Sequence, residues 1–197
     1  MIRMLSGARA PGRPWETADV DIAALVEEAT KKSGLIWLSL PDLPYPRAAW
    51  HIWHVTEGGE DGAARGAAYV VTGGIEQPLP GLPEAERITV TVRSKDKGAR
   101  LVSWIAAVAQ VEPGSEEWEA VVPPLAKARL NAPDGEHQTE RWAEEAYIIR
   151  LTPTGEVPEA PGSLPEDYTG VRPVPSPATT TGRTPFMIGG RRRRSDR

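Results

Sequence analysis

The chain contains no cysteine. Disulfides, thiolate zinc sites, iron–sulfur ligation and a cysteine nucleophile are therefore excluded. Phenylalanine is almost absent, with one residue against seven tryptophans, and there are only three histidines. No apolar run reaches the ~18 residues that a membrane-spanning helix would need. The first residues, MIRMLSGARAPGRPWE, carry no apolar core of a secretory signal, so a cytoplasmic location is expected. A net charge of -4 is too mild to imply a nucleic-acid or membrane-surface protein by bulk charge. Nucleic acid and membrane are accordingly not among the expected partners. There is no P-loop, dinucleotide fingerprint, nucleophile elbow or zinc motif.

Proline and glycine, by contrast, are plentiful, at 20 and 19 residues. Eight of the prolines fall in the last 46 residues. That stretch has no helical or strand period, and its apolar residues are isolated. It cannot bury enough apolar surface to offset its ordering entropy. Residues 153–197 thus read as a disordered, Pro-rich tail with polyproline-II character near 171–177. The tail ends in the basic run Arg191–Arg194. Charge divides at the same boundary: residues 1–151 are net -6 and residues 152–197 net +2. Residues 1–16 read as a flexible lead-in. The remaining 17–152 form one domain with room for a sizeable core.

Within that domain, Thr17 and Asp19 are candidate helix caps. Val20, Ala23, Ala24, Val26 and Ala29 recur behind them at helical spacing, and Gly34 supplies a stop. Strands are expected over 35–40, 48–56, 67–72, 88–92, 100–111 and 142–151. The second and third of these should pair as a hairpin. The strand over 100–111 is apolar on both faces, so one face is expected to meet a partner subunit. Ser115 should cap a helix whose first turn is acidic, with Pro123 and Pro124 interrupting it. The pattern predicts a mainly β fold: a six-stranded antiparallel barrel, an N-terminal helix, and a helix between strands five and six.

The segments LIWLSL, AAWHIWHV, GAAYVVTGG, the run from RITVTVRSKDKG through the helix that follows, and WAEEAYIIRLTP resemble, in order, the split β-barrel of the pyridoxamine 5′-phosphate oxidase-like FMN-binding family. The resemblance covers roughly residues 19–153. It implies a homodimer that binds FMN or a deazaflavin at the subunit interface. It further implies an oxidoreductase that exchanges a hydride with a small organic substrate. Some family members bind no cofactor, so a cofactor-free dimer serving as a binding or structural module is the alternative. The corresponding cofactor-site positions are His51, Trp53, Thr72, Gly73, Gly74, Arg93 and Lys95. The loop after the third strand, TGGIEQPLPG, departs from the family pattern. It has Thr72 but no cation, and Glu76 stands where it would repel a phosphate.

The same residues also have plainer readings. His51 and His54 are three apart on a strand, which puts their rings on opposite faces and away from a shared metal. Trp50, Trp53 and Trp104 offer broad faces for a flavin ring, but packing is the favoured role. Trp37 and Trp142 read as core. Arg93 and Lys95 lie in a charged turn of the kind that is usually only solvated. No pair of carboxylates forms a recognisable acid–base arrangement, so no catalytic residue is assigned.

Overall fold

The computed structural model describes residues 21–56, 65–96, 98–133 and 135–164. All of them fall within one compact unit that ends at Pro165. The lead-in, the helix caps expected at Thr17 and Asp19, and the tail with Arg191–Arg194 lie partly or wholly outside the described residues.

Helix α1 spans Ile22–Lys32. Its cap is Asp21, whose carboxylate accepts from the Ala23 and Ala24 amides at 3.0 and 3.1 Å. Lys31 and Lys32 occupy the last turn, where cations suit the helix dipole. Val26 and Thr30 are buried against the sheet.

Seven strands follow rather than six: β1 (Ile36–Ser39), β2 (Arg47–Ala49), β3 (Ile52–Thr56), β4 (Arg65–Thr72), β5 (Arg87–Arg93), β6 (Arg100–Val111) and β7 (Tyr147–Pro153). They form one antiparallel sheet in the order β2-β1-β5-β6-β7-β4-β3. The extra strand arises because the run expected over 48–56 breaks at Trp50 and His51. Trp50 has its amide and carbonyl bonded to the Gln77 side chain, at 2.9 and 3.0 Å, instead of to a strand. His51 bonds to the Thr30 carbonyl of α1 at 2.9 Å. A side-chain amide thus satisfies a backbone that leaves the ladder.

The break has a large consequence. β2 and β3 lie at opposite edges of the sheet, yet only two residues separate them. Two residues cannot span a flat seven-stranded sheet, so the sheet curls into a half-barrel. The expected hairpin is present as β3–β4, with Trp53 opposite Ala68 and Val55 opposite Gly66.

Helix α2 spans Glu116–Ala128 and is capped by Ser115, as the sequence predicts. It is not interrupted at Pro123 and Pro124. Val121 and Val122 before them and Leu125 after them are all buried, which holds one continuous helix across the missing amide donors. The strand expected from residue 142 starts at Tyr147 instead. Its first residues belong to helix α3 (Gln138–Glu145), where Gln138 and Trp142, one turn apart, are both buried. Two helices, with a 3-10 turn between them, therefore lie between β6 and β7. Among the described residues, no helix is long and apolar enough to cross a membrane.

Strand alternation sorts the core into two clusters. Ile36, Leu38, Val70, Val90, Val92, Trp104, Ile149 and Leu151 pack together with Val26 of α1. Tyr69, Val71 and Ile148 pack with Trp118, Val121, Leu125 and Trp142 of α2 and α3. Each fully buried aliphatic side chain contributes ~1.5–3 kcal/mol.

Residues 154–160, read from the sequence as the start of the tail, run back along β6 as a strap. Thr154 and Ser103 donate backbone bonds to Ile105 and Glu159, and Ile105 donates to Glu156. The strap pairs with the edge of β6 at Ser103 and Ile105, beyond the point where β7 ends.

Candidate functional site

A cavity of about 390 Å³ opens between α1, the β3–β4 hairpin and the strap. Ile22, Ala23, Val26 and Glu27 come from α1, and Thr152 to Val157 from the end of β7 and the strap. Trp53, Gly66 and Trp104 complete the wall. The volume lies within the ~300–1,000 Å³ usual for small-molecule sites.

Gly66 is there for a steric reason. A Cβ at this position would lie 2.4 Å from the Trp53 ring, so the indole rests directly on the β4 backbone. Trp104 is fully buried at the centre of β6. The Nε1 atoms of Trp53 and Trp104 are both buried and have no hydrogen-bond partner among the described residues, as is also true of Thr30 Oγ1 and Gln138 Nε2. A buried donor without an acceptor costs ~1–3 kcal/mol.

The strap that closes the cavity is held by side chains as well as by its backbone. Glu159 accepts from Ser103 Oγ at 2.7 Å and from Arg100 at 2.7 Å. Ser103 Oγ is also 2.9 Å from Thr91 Oγ1. Nearer the mouth, Arg87 pairs with Glu156 at 2.5 Å. Both members of that pair are exposed, so it is worth little, whereas the Glu159 cluster is partly buried.

Of the residues expected from the sequence to hold a cofactor, Trp53 lines the cavity, and the others fall in three places. His51 sits at the β2–β3 break, bonded to Thr30. Burial pushes the His51 imidazole below its usual pKa, and the Thr30 bond opposes this only in part. The neutral ring offers no charge to a phosphate.

Thr72 ends β4, and Gly73 and Gly74 follow it. Thr72 Oγ1 donates to the Gln77 carbonyl at 2.9 Å and accepts from the Leu79 amide at 3.2 Å. Gly73 and Gly74 both have positive φ, and a Cβ on either would come within 3.2 Å of the Glu145 carbonyl. These three residues shape a packed loop.

Arg93 and Lys95 are in the third place. Arg93 lies over the Trp37 ring at 5.3 Å and donates to the Gly98 carbonyl. With Lys95 it lines a smaller hollow of about 190 Å³ beside the end of α1. None of these residues except Trp53 reaches the larger cavity.

Glu76 is not the repelling charge expected from the sequence. Its side chain is fully buried and accepts from Arg129 at 2.8 Å, Arg141 at 3.0 Å and Trp142 Nε1 at 3.0 Å. Burial alone would raise its pKa. The Trp142, Arg129 and Arg141 bonds outweigh that and hold the carboxyl below the usual range. Glu76 therefore fastens the loop after β4 to α2 and α3. Sequence reasoning missed this node, the strap and Gly66. A glycine inside an otherwise apolar strand was the one signal available for Gly66.

No protein-family model and no curated protein matches the chain in sequence. Among solved structures, the chain is similar to the heme storage protein HutZ from Vibrio cholerae. The identity is 14% over 67% of this chain and 89% of that one, with a TM-score of 0.43. It is similar to a protein of unknown function from Agrobacterium tumefaciens at 17% identity, covering 79% of this chain and 66% of that one, with a TM-score of 0.46. It is also similar to the flavocytochrome Anf3 from Azotobacter vinelandii at 13% identity, covering 80% of this chain and 84% of that one, with a TM-score of 0.40. The fold description given above rests on the strand order of this chain itself.

Proposed function

We propose that the chain is a small-molecule-binding protein of split-barrel type, with its site in the cavity between α1, the β3–β4 hairpin and the strap. One observation carries this reading. A cavity of about 390 Å³, the size of a small-molecule site and with a largely apolar lining that includes the Trp53 ring, opens there.

The flavin reading divides at the phosphate. The cavity has the size and the indole wall for a planar ring. Its lining, however, includes Glu27 and Glu156 and no Lys, Arg or His. A dianionic phosphate needs charge-assisted donors, and this donor set does not fit FMN. The binding-module alternative is therefore favoured over an FMN-dependent oxidoreductase.

Filling the cavity tests the site. Ala23 is exposed on α1 at the cavity wall, so Ala23→Phe adds bulk there without removing a core contact. In a thermal-shift screen of small aromatic compounds, some should raise the melting temperature of the unmodified protein and fail to do so for Ala23→Phe. A screen in which every stabilising compound acts equally on both proteins would overturn this reading.

A further inference from the structure

We infer that residues 156–161 of the strap form a lid that swings on Gly155 and Gly162 and gates the cavity, with Glu159 as its latch. The inference rests on the cavity being the ligand site. It goes further by assigning how a ligand enters and leaves.

The two ends of the segment are built to turn. Gly155 and Gly162 both hold φ at +88°, and a Cβ on either would meet nothing within 4 Å. Neither is there to let another group come close, as Gly66 is. What they share is a backbone conformation that glycine adopts without strain and other residues rarely do. Hinges are a few positions of this kind that absorb a change in φ and ψ.

Between the glycines the attachments are few. The Ile105 amide donates to the Glu156 carbonyl at 2.9 Å, and the Ser103 amide to the Glu159 carbonyl at 2.8 Å. The return bond, from the Glu159 amide to the Ser103 carbonyl, is long at 3.4 Å. Pro158 and Pro161 have no amide to give. Among side chains, Glu159 is the strong point: it accepts from Ser103 Oγ and from Arg100, each at 2.7 Å. The Arg87–Glu156 pair is exposed on both sides and adds little.

Val157 is the part of the lid that seals. It is half-buried against the core cluster that holds Val26 and Trp104, and it lines the cavity. Swinging the segment out withdraws Glu156 and Val157 from the cavity wall. It also frees the edge groups of Ser103 and Ile105, which water then satisfies. A segment with few apolar contacts and exposed backbone bonds opens at low cost, and lids are drawn from such segments.

Hydrogen exchange followed by NMR reads the lid in the unmodified protein. After correction for intrinsic rates, the amides of Ser103 and Ile105 should exchange together, through one opening. They should do so at least tenfold faster than those of Ala107 and Ala109, next to which β7 lies. Glu159→Gln keeps the shape of the side chain and removes its charge. It should speed exchange at Ser103 and Ile105 about 3–10-fold and leave Ala107 and Ala109 unchanged. Gating is read through a thiol, because the chain has no cysteine of its own. Val26 is buried on the cavity wall, so the thiol of Val26→Cys should react slowly with iodoacetamide, and about 3–10-fold faster once Glu159→Gln is added. Exchange at Ser103 and Ile105 no faster than at Ala107 and Ala109, or a Glu159→Gln effect that extends to all four amides, would overturn the lid. Faster exchange in Glu159→Gln without faster labelling of Val26→Cys would mean a strap that opens without gating the cavity, and would overturn the inference too. Neither measurement uses a ligand, so their failure is distinct from that of the cavity reading, which falls if no compound distinguishes the unmodified protein from Ala23→Phe.

Discussion

The two sides of the curled sheet use their buried indole N–H groups differently. On the side of α2 and α3, the carboxylate of Glu76 is fully enclosed and meets three donors, one of them Trp142 Nε1. On the side of α1 and the strap, the buried Nε1 atoms of Trp53 and Trp104 have no acceptor among the described residues. One sheet therefore carries a tryptophan whose N–H is used in holding the fold and two whose N–H is not. A paired buried group makes the structure rigid, whereas an unpaired one costs stability. The contrast also explains why Glu76 is a poor guide to ligand charge: its own charge is already neutralised.

The largest expected effect comes from breaking the paired side. Glu76→Ala leaves Arg129 and Arg141 facing each other without their carboxylate. It should cost about 3–5 kcal/mol, read as a lower urea midpoint. Glu76→Gln keeps an acceptor for Trp142 and should cost less.

Next in size is a direct comparison of the indoles. Trp142→Phe and Trp104→Phe both shrink a fully buried ring, but only the first removes a hydrogen bond. Trp142→Phe should therefore be the more destabilising by about 1–3 kcal/mol, because it strands a buried carboxylate lone pair. Equal losses would mean that the two indoles are equivalent after all.

A smaller effect is expected at the strap. Glu159→Ala removes the carboxylate to which Arg100 and Ser103 donate and should cost about 1–2 kcal/mol. It should also speed proteolysis within residues 154–160 and weaken any ligand in the cavity. Unchanged cleavage would show that the backbone bonds to β6 suffice to hold the strap.

The smallest effect is the pH response of His51. Its folded pKa lies below its unfolded value of ~6.5, so the unfolded chain binds more protons between the two. The sign follows: the contribution is full above pH ~6.5 and is lost as pH falls toward the folded pKa. His51→Gln should flatten the fall in melting temperature between about pH 7 and 5. Glu76 acts in a lower window. Its contribution is full above its unfolded pKa of ~4.3 and is lost as pH falls through its lower folded value.

What the sequence made legible was local. Strict alternation over residues 88–92 places Ile88, Val90 and Val92 inward, and the structure buries all three. Ser115 before an acidic turn predicts α2, and the Gly-rich stretch 57–66 predicts the β3–β4 hairpin. What it hid was long-range. Glu76 meets Arg129 and Arg141 across 53 and 65 residues, and Ser103 meets Glu159 across 56. Gln77 satisfies Trp50 from 27 residues away, so the break that adds a seventh strand leaves no local mark. Of the expected cofactor residues, only Trp53 lines the larger cavity. The others were chosen by their order along the chain, and chain order does not show which of them share a surface. The strap along the edge of β6 was hidden as well, because it lies in a segment whose composition resembles a tail.

The central claim is that the indole N–H of Trp142 holds the fold through Glu76, while those of Trp53 and Trp104 do no such work. An amide-type ¹H–¹⁵N correlation spectrum resolves it through the side-chain Nε1–H signals of the seven tryptophans, assigned by single Trp→Phe changes. The Trp142 proton should lie downfield of those of Trp53 and Trp104, because it alone of the three is bonded to a carboxylate. Glu76→Gln should move the Trp142 signal upfield and leave those of Trp53 and Trp104 in place. A Trp142 proton that lies among the other two, or that stays in place in Glu76→Gln, would contradict the account.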